Sequence, residues 1–155
     1  MIQRVQSIWL LLATLTLISL LFLPLITKNV DATAYSIYTN GLHQKTNAAS
    51  GNGLIIEPFL PLMIANIALA AICFFNIFAF KNRSAQKRIA AVSIVLVLVL
   101  AGWSSVYGQH LPGGLTNASV GSGAILLLLA IIFCALAIRG IRKDEQLLRS
   151  ADRLR

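Results

Sequence analysis

The sequence predicts an all-α membrane protein, a bundle of four transmembrane helices with both termini in the cytoplasm and a short β-hairpin in the first extracytoplasmic loop. Three observations predict this class. Of the 155 residues, 57% are hydrophobic and 12% are charged, whereas soluble domains have roughly 25% charged residues. The apolar residues form four long runs, and the mean hydropathy is +0.80. Most Lys and Arg residues lie between or beyond these runs in a pattern that sets orientation.

The four apolar runs define one membrane domain that covers residues 1–155. A helix of about 20 residues crosses a hydrocarbon core of roughly 30 Å, because it rises about 1.5 Å per residue. The first run also resembles a signal peptide, but its uncharged length exceeds the about 7 to 15 apolar residues typical of one. The predicted spans are residues 5–26, 58–80, 89–107 and 120–138.

The longest polar segment is the outer loop, residues 28–57. Residues 33–39 alternate in polarity and are rich in Tyr, Thr and Ile, and Asn40-Gly41 suits a type I′ turn before residues 42–46. This pattern predicts a short β-hairpin. Because an isolated hairpin is marginal in water, we expect it to pack on the helices or on a protein partner. The expected contact residues are Tyr35, Ile37 and Tyr38.

Basic residues predict the orientation. A cytoplasmic elbow, residues 81–88, reads Lys-Asn-Arg-Ser-Ala-Gln-Lys-Arg, and a basic cytoplasmic tail, residues 139–155, lies on the membrane surface or extends as a helix. Lys and Arg are enriched on the cytoplasmic side of membrane proteins, so the sequence predicts a multi-pass membrane protein with both termini in the cytoplasm. The residues that set this topology are Arg4, Lys81, Arg83, Lys87, Arg88, Arg139, Arg142 and Lys143.

Four of the polar residues inside the predicted spans are candidates for an interhelical or pathway role: Asn66, Asn76, Ser93 and Ser104. An unpaired amide is costly in lipid, so the two asparagines should face other helices and form interhelical hydrogen bonds. The alternative is that all four residues line a pathway for a solute. The predicted spans contain no acidic or basic residue, which argues against a proton-coupled carrier.

The sequence shows no catalytic motif. Cys73 and Cys134 are single residues within predicted spans, whereas thiol oxidoreductases use an exposed Cys-x-x-Cys pair. His43 and His110 lie in outer loops, so a haem lacks imidazole ligands within the spans. Nucleophile motifs, phosphate-binding glycine loops and paired carboxylates are absent from the sequence. We therefore expect no enzymatic activity, no cofactor and no metal. The cations lie beside apolar spans, so no nucleic-acid partner is expected.

The first 13 residues, Met-Ile-Gln-Arg-Val-Gln-Ser-Ile-Trp-Leu-Leu-Leu-Ala, resemble the start of an uncharacterised bacterial family, domain of unknown function 4293. The remainder is similar in layout to these small four-span inner-membrane proteins of Bacteroidota. The resemblance implies a location in the bacterial inner (cytoplasmic) membrane and no known activity. We expect a non-enzymatic accessory, scaffold or assembly subunit that contacts membrane lipid and binds other envelope proteins or its own copies. The alternatives are a small oligomeric transporter or channel for a neutral or small solute and an unrecognised membrane enzyme.

Overall fold

The computed structural model describes residues 3–30, 33–46, 54–79, 82–111 and 114–152. Within them the chain forms a helical layer and a β-sheet. The helices are α1 (Gln3–Ser19), α2 (Leu60–Phe78), α3 (Arg83–Tyr107) and α4 (Ser122–Asp152). The strands are β1 (Ile26–Val30), β2 (Thr33–Tyr38), β3 (Gly41–Thr46), β4 (Leu54–Pro58) and β5 (Ser119–Val120).

The helices pack so that α1 and α3 each contact both α2 and α4. Neighbouring helices run antiparallel. At one end, Phe59 before α2 stacks on Tyr107 at the end of α3, with ring centroids 4.1 Å apart. At the other end, Asn76 of α2 bonds with Gln86 of α3. We call the first the sheet end, because the strands lie there, and the second the basic end.

Three of the described helical segments are long and apolar enough to cross a membrane: Leu60–Phe78, Arg83–His110 and Ser122–Leu147. The apolar part of α1, Gln6–Ser19, is shorter, and the 17 residues of α1 extend only about 26 Å, less than a hydrocarbon core of roughly 30 Å. The predicted bundle of four transmembrane helices is therefore wrong.

The helix of the first apolar run is shorter than predicted, because the last residues of the run pair with the sheet. After Ser19 the chain turns, and the backbone N–H of Leu25 donates to the carbonyl of Ile37 at 2.7 Å. Ile26 then begins β1. Residues that hydropathy assigns to a membrane span thus lie at the junction of the two layers, where Leu25 is buried.

The predicted short hairpin is also wrong, because the strands form a five-stranded antiparallel sheet in the order β4-β3-β2-β1-β5. Its centre is the β2–β3 hairpin, in which Tyr38 pairs with Gly41. Flanking strands stabilise a hairpin that would be marginal alone. One face of β2 and β3 meets the helices, and Ile37 and Leu42 join the main hydrophobic core there.

The helical surface is apolar on its outer side, opposite to the pattern of a soluble protein. Exposed positions include Ile64, Phe75, Val95 and Leu128. The interior between the helices contains small and polar residues such as Ala13, Ala130, Cys134 and Asn66. Extensive exposed apolar surface marks a region that contacts a membrane or another protein, and the three candidate spans are consistent with a membrane.

Gly41 has a backbone conformation that a larger residue disfavours. Its φ is +156°, and an added Cβ would lie 2.5 Å from the carbonyl oxygen of Glu57 on β4. We expect Gly41→Ala to destabilise the sheet by about 1–3 kcal/mol and to lower the Tm of the detergent-solubilised protein. The matched control is Gly102→Ala, because a Cβ on Gly102 in α3 meets no atom within 4 Å. An unchanged Tm for Gly41→Ala, or an equal loss for Gly102→Ala, would contradict this expectation.

Candidate functional site

Asn66 holds the end of α1 against α2. It is fully buried, and its Nδ2 donates to the carbonyl oxygen of Leu17 at 3.1 Å. Leu17 lies in the last turn of α1, where carbonyls lack an intrahelical donor. The amide therefore supplies a hydrogen bond that the shortened helix needs in an apolar surrounding.

Asn76 and Gln86 form a reciprocal pair at the basic end. Asn76 Nδ2 donates to the Gln86 carbonyl, and Gln86 Nε2 donates to the Asn76 carbonyl, both at 3.2 Å. Both side chains are buried. The pair joins the end of α2 to the start of α3. Sequence reasoning missed Gln86 because it lies in the segment assigned to a cytoplasmic elbow.

A second polar pair joins α1 to α4. Gln6 Nε2 donates to Asp144 Oδ2, and both residues are buried. Sequence reasoning missed Asp144 because residues 139–155 were predicted to lie on the membrane surface or to extend as a helix beyond the bundle. The segment is helical, since α4 continues to Asp152, but its Asp144 side chain contacts α1. The signal was the spacing of the buried positions on α4, which continue at intervals of three and four residues: Ala130, Cys134, Ala137, Ile141 and Asp144.

The two predicted serines bond within α3. Ser93 Oγ donates to the Ile89 carbonyl at 2.9 Å, and Ser104 Oγ donates to the Ala101 carbonyl at 2.7 Å. Cys73 lies within hydrogen-bonding reach of Cys134 and Ser93, so the two cysteines meet between α2 and α4 and are both buried. In the described part of the chain, no group of three His, Cys, Asp or Glu residues is arranged to hold a metal.

Several buried polar atoms have no hydrogen-bond partner in the described chain. Four are oxygens, Asn66 Oδ1, Asn76 Oδ1, Gln86 Oε1 and Asp144 Oδ1, and one is the donor nitrogen Arg83 Nη1. Buried polar atoms normally have partners. Three of these oxygens lie near the basic end, so this is the part of the interior with the least complete hydrogen bonding.

The three predicted partner-contact residues lie in β2, in different surroundings. Ile37 is fully buried in the core. The Tyr35 hydroxyl accepts a hydrogen bond from Gln44 Nε2 at 3.3 Å, and the Tyr38 ring packs on His43 with centroids 4.5 Å apart. Contact of these residues with a partner stays a prediction.

The edge strand β4 carries two adjacent exposed apolar side chains. Ile55 and Ile56 expose 54% and 47% of their surface, and among the described strands β4 pairs only with β3. The opposite edge, β5, has two residues. Sequence reasoning missed this feature because residues 54–58 were divided between a loop and the start of the second span.

The predicted topology-setting cations gather at the basic end where the structure describes them. Arg83, Lys87 and Arg88 lie in the first turns of α3. Arg139, Arg142 and Lys143 lie on the distal part of α4. Arg4 belongs to the first turn of α1, and Lys81 lies outside the described residues. The two ends of the molecule therefore differ in charge as well as in secondary structure.

These features define the class: a helical protein with three candidate membrane spans, a buried polar interior and an antiparallel sheet at one end. The chain belongs to the family described as "Domain of unknown function (DUF4293)", whose model matches residues 2–154. The family predicted from the first 13 residues is thus confirmed. A comparison with curated proteins finds no match to the chain.

A double-mutant cycle tests whether the Gln6–Asp144 hydrogen bond stabilises the protein. Gln6→Leu leaves the buried carboxylate of Asp144 without its donor, so we expect a loss of about 1–3 kcal/mol of stability. Gln6→Leu combined with Asp144→Leu removes both polar groups and should cost less than the sum of the two single changes. Denaturant titration in detergent measures the three variants. Additive losses would show that the pair is not coupled.

Proposed function

We propose that the protein is an inner-membrane accessory or assembly subunit without enzymatic activity, and that its sheet binds another envelope protein outside the cytoplasm. The observation that carries this proposal is the exposed apolar edge strand β4. An open strand edge is a template for an additional strand, and β-strand addition is a recurring mode of peptide recognition. The exposed Ile55 and Ile56 side chains would provide contacts beyond the backbone.

The charge difference between the two ends supports the orientation in this proposal. Described cations cluster at the basic end, on α3 and on the distal part of α4. Because Lys and Arg are enriched on cytoplasmic segments, we infer that this end faces the cytoplasm, together with the start of α1 and the end of α4. The sheet then lies on the extracytoplasmic side.

The packing of the interior favours a binding role over transport. Leu62, Cys73, Val97 and Cys134 are fully buried between the helices. All four residues predicted to line a pathway donate hydrogen bonds to backbone carbonyls: Asn66, Asn76, Ser93 and Ser104. A solute path that used the amides of Asn66 and Asn76 would compete with their interhelical hydrogen bonds.

Cysteine labelling tests the orientation. In a background with Cys73→Ala and Cys134→Ala, we introduce Ser84→Cys at the start of α3 or Asn29→Cys in β1, since both positions are exposed. A membrane-impermeant maleimide added to intact spheroplasts should label Asn29→Cys, and it should label Ser84→Cys only after lysis. Labelling in the reverse order, or of both variants before lysis, would contradict the proposed orientation.

Site-specific photocrosslinking tests the role of the edge strand. A benzoylphenylalanine replaces Ile55 or Ile56, and the matched control carries it at Gln109, which is also exposed at the sheet end but lies outside β4. We expect one reproducible protein adduct from the β4 positions in living cells and none from position 109. Absence of an adduct at both β4 positions, or equal yield at position 109, would refute docking through this edge.

A further inference from the structure

A groove between α3 and α4 at the basic end combines two arginines with an apolar floor. Its volume is about 470 Å³, and it is lined by Ile94, Ala135, Ile138, Arg139 and Arg142. A smaller adjoining cavity shares Arg142 and is also lined by Lys87, Glu145 and Gln146. Arg142 therefore lies where the two cavities meet.

The charges in this region are not balanced by the described chain. Lys87 Nζ lies 2.9 Å from a Glu145 carboxylate oxygen, so this lysine has an ion-pair partner. For Arg139 and Arg142, the described residues provide no carboxylate within ion-pair distance. Residues three apart on a helix are neighbours, and like charges at this spacing repel. A bound anion would offset that repulsion.

The arginine side chain suits a phosphate in particular. Its planar guanidinium presents donors in a fork that matches phosphate oxygens in a bidentate way. Two such groups one helical turn apart can contact the same phosphate. The groove thus has the donors for an anionic group at its rim.

The floor of the groove indicates that the phosphate belongs to a lipid. Ile94, Ala135 and Ile138 lie within the segments Arg83–His110 and Ser122–Leu147, which are long and apolar enough to cross a membrane. In a bilayer this surface would contact acyl chains. Basic pockets between transmembrane helices on the cytoplasmic side bind anionic lipid headgroups.

We propose that this groove is a binding site for an anionic phospholipid, with the phosphate on Arg139 and Arg142 and an acyl chain along Ile94, Ala135 and Ile138. A cavity of the same volume between α3 and α4 at the sheet end provides the contrast, because its described lining includes three serines and no charged residue. The proposal is independent of any protein partner on the sheet, so failure of the crosslinking test leaves it standing.

Native mass spectrometry of the full chain in nanodiscs or detergent with added phosphatidylglycerol or phosphatidylcholine tests the site. The groove variant is Arg139→Gln with Arg142→Gln. The control is Arg88→Gln with Lys143→Gln, which removes the same charge at exposed positions outside the groove lining. We expect phosphatidylglycerol retention to fall about 30-fold in the groove variant, with phosphatidylcholine binding and the control variant unchanged.

A third variant tests the acyl-chain contact without a change of charge. Ala135→Trp fills the apolar floor and should also lower phosphatidylglycerol retention, even if the arginine variant proves unstable. Retention at the wild-type level in both variants would overturn the proposal. An equal loss of phosphatidylglycerol retention in the control variant would show that the effect depends on total charge and not on the groove. Displacement of the lipid by millimolar inorganic phosphate would show that the site binds free phosphate instead.

Discussion

The structure depends on one constraint: between helices that are apolar enough to cross a membrane, backbone carbonyls need donors from within the protein, because hydrocarbon would offer none. The Asn66 side chain donates a hydrogen bond to the Leu17 carbonyl, and the side chains of Asn76 and Gln86 each donate to the other's backbone carbonyl. The hydrogen bonds join α1 to α2 and α2 to α3. Gln6 and Asp144 add the contact between α1 and α4. A polar interior and an apolar exterior are both expected of helices whose surroundings are lipid.

The sheet follows from the early end of α1. Once Leu25 bonds to Ile37, Ile26 pairs with Val120 on one side and with Ile37 on the other. This connects the loop before α4 to the segment between α1 and α2. The backbone of α4 then starts beside Pro24, whose carbonyl accepts a hydrogen bond from the N–H of Gly123 at 2.7 Å. The turn near Pro24 therefore contacts both the sheet and the start of α4, and it fixes the position of the sheet relative to the helices.

Local sequence patterns predicted the features that depend on local chemistry. The apolar runs that contain α2, most of α3 and the first half of α4 are visible in the sequence, as is the strand pair β2 and β3. The remaining strands are not, because β1, β4 and β5 exist through pairing with residues distant in the chain. Hydropathy alone does not show that Ile26 belongs to a strand, because an isoleucine is equally apolar in a membrane span. The hairpin loop is Thr39-Asn40 instead of Asn40-Gly41, since Gly41 already pairs with Tyr38 in the ladder.

The sequence predicted the candidate-site residues that lie within apolar runs and missed those among the charged residues at the basic end. Asn66 and Asn76 stand out in apolar runs, whereas Gln86 and Asp144 lie among charges that suggest exposure to water. Their burial arises because α3 begins before the apolar run and α4 continues after it.

Spin-label accessibility along α3 in reconstituted vesicles tests the central claim, that lipid surrounds the helical layer. The account predicts high exposure to oxygen and low exposure to a water-soluble nickel chelate at the exposed positions Val92, Val95 and Val99, with both exposures low at the buried positions Ser93, Val97 and Leu100. Oxygen accessibility should follow the helical period of about 3.6 residues. High accessibility of Val95 and Val99 to the nickel chelate would show that water surrounds this helix and would contradict the account.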